Sequence, residues 1–262
     1  MPASPEIVVE ATADGLAADV AARVIATLGR AQRDRGQAAL ALTGGGILEQ
    51  VFTALAGDPG RSAVEWNKVD VVWGDERFVP IGSEDRNDGR ARELLLEPLG
   101  FDETRVFAMP ASDGPDGGDL ERAAARYAGR LAEIASVNRL DSDFPTVDVA
   151  LIGVGPDGHC CSLFPEHPAV YETGRTVVAV HNSPKPPPER LSLTFDALEA
   201  CREVWVVAAG AGKAAAVALA LDGAGRVQVP AAGARGHDRT LWLVDRAAAA
   251  HLPALIYRPP VA

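Results

Sequence analysis

The stretch Val147-Asp148-Val149-Ala150-Leu151-Ile152-Gly153-Val154-Gly155-Pro156-Asp157-Gly158-His159 decides the fold. Its first part, residues 147–154, is an apolar run that stops at a polar, glycine-rich segment. That pattern reads as a strand covered on both faces, as in a parallel sheet. Gly153, Gly155 and Gly158 spell the dinucleotide fingerprint, but the fingerprint needs a long helix after its third glycine. Here Pro165 and Pro168 interrupt any such helix, and no early βαβ unit surrounds the segment. A nicotinamide-dependent dehydrogenase is therefore the least favoured reading.

The same grammar recurs on either side. Residues 7–9 form a short strand, and Leu16, Val20, Val24 and Leu28 recur every four residues as one helix face. Ala38–Leu42 ends in Thr43-Gly44-Gly45-Gly46, and Val69–Trp73 runs into Gly74-Asp75-Glu76-Arg77. Helices are expected near residues 87–96 and 119–135 and from Lys213, and strands at 176–180, 204–208 and 240–244. Apolar strands alternating with helices predict an α/β, Rossmann-like, mainly parallel sheet with helices on both faces. The Gly/Pro-rich segments 111–119 and 184–188 read as surface loops, not linkers, so residues 1–262 are expected to form a single domain. In such sheets ligands sit beyond the carboxyl ends of the strands, where three runs turn glycine-rich and polar.

Composition narrows the partner. The 262 residues carry 25 Lys and Arg against 36 Asp and Glu, a net charge of −11, which disfavours nucleic acid but leaves a small phosphorylated ligand open to a few local cations. Cys160, Cys161 and Cys201 are an odd set with an adjacent pair, so no disulfide framework is expected and a reducing cytoplasm is. Met1-Pro2-Ala3-Ser4 opens no basic leader, and no 18-residue apolar run suggests a membrane span.

Three segments carry chemistry. Thr43, Gly44, Gly45 and Gly46, at a strand end before a helix, bring backbone N–H groups and a helix N-terminus to an anion; a ligand-free turn is the alternative. It is not a Walker A loop, and neither is Gly212-Lys213, because Ala214 follows. His159 beside Asp157 is suited to general-base work, the carboxylate holding one tautomer, although a lone histidine is more often structural. His159, Cys160, Cys161 and His167 lack metal-ligand spacing, so no metal is expected. Arg77 is placed to fork onto a phosphate or carboxylate with Asp75 and Glu76 orienting it, a structural ion pair being the alternative. Lys185, Arg190 and Lys213 are further cations near loop or strand boundaries, each alone readable as a solvated charge.

Taken together these segments resemble the 6-phosphogluconolactonase family. The matching pieces are Leu42-Thr43-Gly44-Gly45-Gly46, Trp73-Gly74-Asp75-Glu76-Arg77-Phe78-Val79-Pro80 with Asn87, and Gly153-Val154-Gly155-Pro156-Asp157-Gly158-His159 through Ser162-Leu163-Phe164-Pro165. Ser183-Pro184-Lys185-Pro186-Pro187-Pro188, Arg190-Leu191-Ser192-Leu193-Thr194, Gly210 and Lys213-Ala214 complete the set. Arg86 stands where the family often has Ser, Cys160-Cys161 where small or Thr-like residues are usual, and Ile47 where Ser, Thr or Asn is common.

The resemblance implies hydrolysis of 6-phospho-D-glucono-1,5-lactone to 6-phosphogluconate in the oxidative pentose phosphate pathway, without a cofactor. It implies His159 as base, Arg190 and Lys213 on the phosphate beside the Thr43–Gly46 loop, and Arg77 on substrate oxygens, with Asp75 and Lys185 in the same pocket. The expected partner is the sugar-phosphate lactone, with no nucleic acid and no membrane, the chain acting as a monomer or weak homodimer. Two rivals remain: an aminosugar-phosphate deaminase or isomerase with Asp75 as base, and an inert sugar-phosphate-binding protein.

Overall fold

The computed structural model describes residues 5–137 and 142–253. The first four residues, on which the expectation of no leader rests, and the last nine residues of the expected 1–262 domain lie outside these.

The chain runs β1 (Glu6–Glu10), α1 (Ala13–Arg35), β2 (Ala38–Leu42), α2 (Gly46–Gly57), β3 (Val69–Trp73) and β4 (Asp75–Arg77). It continues through α3 (Asn87–Ala91), α4 (Glu97–Leu99), α5 (Leu120–Val137), β5 (Val149–Gly153), β6 (Val177–Val180), β7 (Arg190–Leu193), α6 (Phe195–Ala200), β8 (Glu203–Ala208), α7 (Ala214–Leu221) and β9 (Arg239–Asp245). Six strands form one sheet in the order β1-β9-β8-β5-β2-β3, and every neighbouring pair is parallel. This is the expected mainly parallel α/β architecture. β2 and β3 are buried along their whole length, which is why β2 reads as an unbroken apolar run and β3 as one interrupted only by Asp70, whose carboxylate pairs with Arg105 at 2.6 Å.

α1 packs on that sheet as its four-residue spacing predicts. Leu16, Val20, Val24 and Leu28 are fully buried, Thr12 caps the first turn by accepting the Gly15 N–H at 3.1 Å, and Gly36 ends the helix in the left-handed region at φ 79°. Among the described residues no helix is long and apolar enough to cross a membrane.

Three departures from the sequence reading have physical causes. β5 begins at Val149, one residue after Asp148, whose backbone still bonds Ala39 and Glu203 while its carboxylate accepts the Ala39 N–H at 3.0 Å and pairs with Arg35, so a charged residue is accommodated at the strand's start. The helix expected over 87–96 is α3 followed by a π-turn, Arg92–Leu96, leading into α4. Pro98 at the start of α4 has no N–H to donate and its ring crowds the preceding turn, which the wider π geometry relieves. Finally, the strand expected at 176–180 is not in the parallel sheet. It is β6 of a second, antiparallel sheet ordered β4-β7-β6, so Asp75, Glu76 and Arg77 are a strand in their own right and not the loop after β3.

In the large sheet the chain leaves β2 outward to β3 but leaves β5 in the opposite direction, towards β8 and β9. Two adjacent parallel strands whose connections diverge leave a crevice at their carboxyl ends.

Candidate active site

That crevice is a cleft of about 530 Å³ beyond the ends of β2, β5 and β8. Thr43, Gly44, Gly45, Gly46, Asp75, Arg77, His159, Lys185, Arg190 and Lys213 all line it, and Asp157 stands behind His159. Residues scattered over 170 positions of sequence thus meet in one place, roofed by the small sheet.

The glycine turn is shaped by its neighbours. The Thr43 hydroxyl donates to the Leu151 carbonyl at 3.0 Å and accepts the Gly153 N–H at 3.2 Å, riveting the end of β2 to β5, so it is already committed within the fold. Gly44 gives Asn87 its place: a Cβ there would lie 1.9 Å from Asn87 Oδ1 and displace that side chain from its bond to the Asp75 carbonyl. Gly45, at φ 127°, then turns the chain into α2, whose N-terminus carries no side-chain cap and opens on the cleft.

His159 is held from one side only. Its Nδ1 is 2.6 Å from Asp157 Oδ1, and Lys185 Nζ is 3.0 Å from the same oxygen. Burial alone would raise the proton affinity of Asp157, but the hydrogen bonds and charges of His159 and Lys185 outweigh it and hold the carboxyl well below the usual range. An ionised carboxylate only accepts, so the proton on this side belongs to Nδ1 and the lone pair to Nε2. Nε2 has no protein partner among the described residues, and the ring stacks on Phe164 at 4.6 Å between centroids. Cys160 and Cys161 are not nucleophiles: both are buried, and their mutual hydrogen bond together with burial pushes the Cys161 thiol far up.

β4 is anchored by its two acids, though not by pairing with Arg77. The Glu76 carboxylate accepts the N–H groups of Arg77, Asn87 and Asp88 at 2.7–2.9 Å and lies 3.6 Å from the guanidinium of Arg86, both side chains being 1% exposed. Burial raises the proton affinity of Glu76, against the pull of Arg86 and those N–H groups. Asp75 Oδ2 accepts the Ser162 hydroxyl at 2.7 Å, and Oδ1 faces the Asn87 amide at 3.4 Å. The expected orientation of Arg77 by these acids therefore does not occur. Its Nη1 donates to the Asp85 carbonyl at 2.6 Å, and its Nε is buried with no partner among the described residues.

The remaining cations divide into two kinds. Lys213 has no hydrogen-bond or ion-pair partner among the described residues, and burial, reinforced by the charge of Lys185, pushes its pKa down. It sits at the end of a 3₁₀ turn, Ala211–Lys213, entered through Gly210, whose N–H is fixed by Asp245 Oδ1 at 2.9 Å. Arg190, by contrast, is 3% exposed and spends its donors on the carbonyls of Lys185, Pro186 and Pro187 at 3.0–3.2 Å.

The cleft also holds Asn87, quoted from the sequence only as part of the family pattern, and two residues the sequence reading did not select, Gln50 and Asp245. Asp245 closes the carboxyl end of β9, so the rule that ligands gather at strand ends points to it. Gln50 lies on an ordinary helical surface position and gives no such signal.

Comparison with known proteins follows the same lines. The family model described as glucosamine-6-phosphate isomerases/6-phosphogluconolactonase matches residues 11–242. A 6-phosphogluconolactonase of Streptomyces coelicolor is 54% identical over 98% of both chains, and one of Mycobacterium tuberculosis is 47% identical over 92% of this chain and 96% of its own. Among solved structures, a 6-phosphogluconolactonase from Trypanosoma brucei superposes with a TM-score of 0.80 at 29% identity, covering 95% of this chain and 99% of the other. A monomeric glucosamine-6-phosphate deaminase shares the fold, with a TM-score of 0.74 at 19% identity over 94% of this chain and 99% of its own.

Proposed function

The chain belongs to the glucosamine-6-phosphate isomerase/6-phosphogluconolactonase family, and from that membership we propose that it hydrolyses 6-phospho-D-glucono-1,5-lactone to 6-phospho-D-gluconate, a step of the oxidative pentose phosphate pathway. The observation that carries the chemical part is the 2.6 Å contact between ionised Asp157 and His159 Nδ1, which leaves Nε2 as the basic atom on a cationic cleft.

The lactone carbonyl is already electrophilic, so modest assistance suffices. Water forms a bond to C1 while its proton passes to His159 Nε2, and the carbonyl pair moves onto the exocyclic oxygen. When that tetrahedral intermediate collapses, the bond from C1 to the ring oxygen breaks and the proton on Nε2 goes to the ring oxygen. A positioned base contributes about 10²–10⁴-fold. Arg77, with one protein acceptor on its guanidinium, meets the developing oxyanion, and such a donor is worth about 2.7–4 kcal/mol. Lys213 and the uncapped start of α2 hold the phosphate and so fix the ring.

The rival deaminase or isomerase reading needs a free carboxylate base at Asp75. That group is 5% exposed and engaged by Ser162 and Asn87, and relatives 44–54% identical to this chain are named lactonases. The deciding experiment couples freshly generated lactone to phosphogluconate dehydrogenase against a no-enzyme control. Wild-type protein should outpace spontaneous opening and His159→Gln should lose at least about 100-fold in kcat. Ammonia released from glucosamine 6-phosphate, with no lactone opening, would reverse the assignment.

A further inference from the structure

We propose that Lys185 is a positioning residue for His159, locked in place by Arg190, and not a group that grips the substrate; the proposal rests on the lactonase reading above. Lys185 Nζ lies 3.0 Å from Asp157 Oδ1 and 3.2 Å from His159 Nδ1. An ammonium has no lone pair to offer, so Nδ1–H and Nζ–H are two donors converging on one carboxylate oxygen. Lys185 thereby does two things to the base. It helps keep Asp157 ionised, which keeps the proton on Nδ1, and it sets a positive charge 3.2 Å from the ring.

The loop that carries Lys185 is fastened independently of the cleft. Arg190 reaches back from β7 to take the carbonyls of Lys185, Pro186 and Pro187, while the Ser183 hydroxyl donates to the Lys185 carbonyl at 3.0 Å and accepts its N–H at 3.3 Å. A guanidinium has five N–H donors. Three of those on Arg190 are taken by these carbonyls, and Nη1 approaches the Ser162 hydroxyl at 3.5 Å, which leaves little of it for a phosphate. Its Cζ also sits 5.5 Å from the centre of the Phe164 ring on which His159 stacks, so one aromatic spacer sets the imidazole and the clamp.

The charged groups facing the imidazole come from four places. They are Asp157 on its own turn, Lys185 on the 183–188 loop, Arg190 across Phe164, and Lys213 before α7, whose field reaches Lys185 and Asp157. Of the three cations, Lys185 alone is within hydrogen-bonding distance of the ring among the described residues. Its removal is therefore the change that bears directly on the protonation of the base.

The test is an NMR titration of the His159 ring in substrate-free protein, its signals assigned by their loss in His159→Gln. Lys185→Met should raise the titration midpoint by about one pH unit, while Lys185→Arg, which keeps the charge, should stay near wild type. The acid limb of kcat/KM should move with it, and KM for the lactone should change less than about threefold. Arg190→Lys, which retains Lys185 but frees its loop, should shift the midpoint in the same direction and serves as the second arm if Lys185→Met does not fold. An unmoved midpoint, or a rise of about tenfold or more in KM with the profile unmoved, overturns the proposal and makes Lys185 a substrate contact. Failure of the lactonase reading shows separately, as a wild-type protein that titrates as expected but does not accelerate lactone opening.

Discussion

Gly155 and His159 are in such close contact that a methyl group on the glycine would lie 2.0 Å from the imidazole Nδ1 and 2.3 Å from Asp157 Oδ1. The backbone of Gly155 also donates its N–H to the His159 carbonyl at 2.9 Å, which closes the turn on itself. The glycine is thus the floor on which the imidazole and its carboxylate rest.

Gly155→Ala should displace that pair without unfolding the protein, because position 155 is not in the left-handed region and the added methyl meets side chains, not backbone. A misplacement of about 1 Å costs on the order of 100-fold in rate. Steady-state kinetics should show this loss in kcat with KM little altered.

Asp157→Asn should lower kcat by about 10²–10⁴-fold, because an amide no longer requires the proton on Nδ1. The acid behaviour of stability tests the charge. The folded carboxyl titrates below its ordinary value of 3.8, so its stabilisation is fully present above about pH 4 and is lost as pH falls towards the folded value. The Tm difference between wild type and variant should therefore shrink as pH falls below about 4.

Lys213→Ala should raise KM for the phosphorylated lactone by about 10–100-fold, the worth of a charge-assisted hydrogen bond, with a smaller change in kcat. Discrimination against the unphosphorylated lactone should fall by the same factor. Stability should not fall, since burial already disfavours this ammonium and no protein partner loses a bond. A thermal melt beside the kinetics checks both statements.

Arg190→Ala should act first on stability. Removing the clamp takes the guanidinium donors from the carbonyls of Pro186 and Pro187, while that of Lys185 keeps the Ser183 hydroxyl, at about 1–3 kcal/mol for each one left buried and unsatisfied. Urea denaturation should show the loss, and limited proteolysis should cut first within 183–188. A variant with wild-type stability and impaired phosphate selectivity would instead make Arg190 an anion contact.

The parallel sheet was legible because its strands are buried on both faces, so Ala38–Leu42, Val69–Trp73 with its one paired acid, Asp70, and the run before Gly155 carry the fold in their predominant apolarity. The small sheet was not. β4 is the three-residue strand Asp-Glu-Arg, whose polarity reflects what its side chains do and hides the ladder it forms with β7. In the cleft, His159 and Asp157 were readable as a pair two residues apart on a turn. The partnership of Lys185 with them joins positions 28 and 26 residues apart, and the engagement of Arg190 is with backbone carbonyls, which no side-chain pattern announces. Charge type alone left Lys185, Arg190 and Lys213 readable as solvated, and the family resemblance placed all four cations, Arg77 included, in the pocket, whereas the partners they find in the fold separate them.

The sealed pairing of Glu76 with Arg86 ties the cleft to the interior behind it. Loss of either member alone would strand a charge in the interior, at about 3–5 kcal/mol, a large part of a typical domain's whole margin. A small residue at position 86 would leave the Glu76 carboxylate to the N–H groups of Arg77, Asn87 and Asp88 alone, so the anchoring of β4, and with it the placement of Asp75 and Arg77 on the cleft, is coupled to a guanidinium that never meets the ligand.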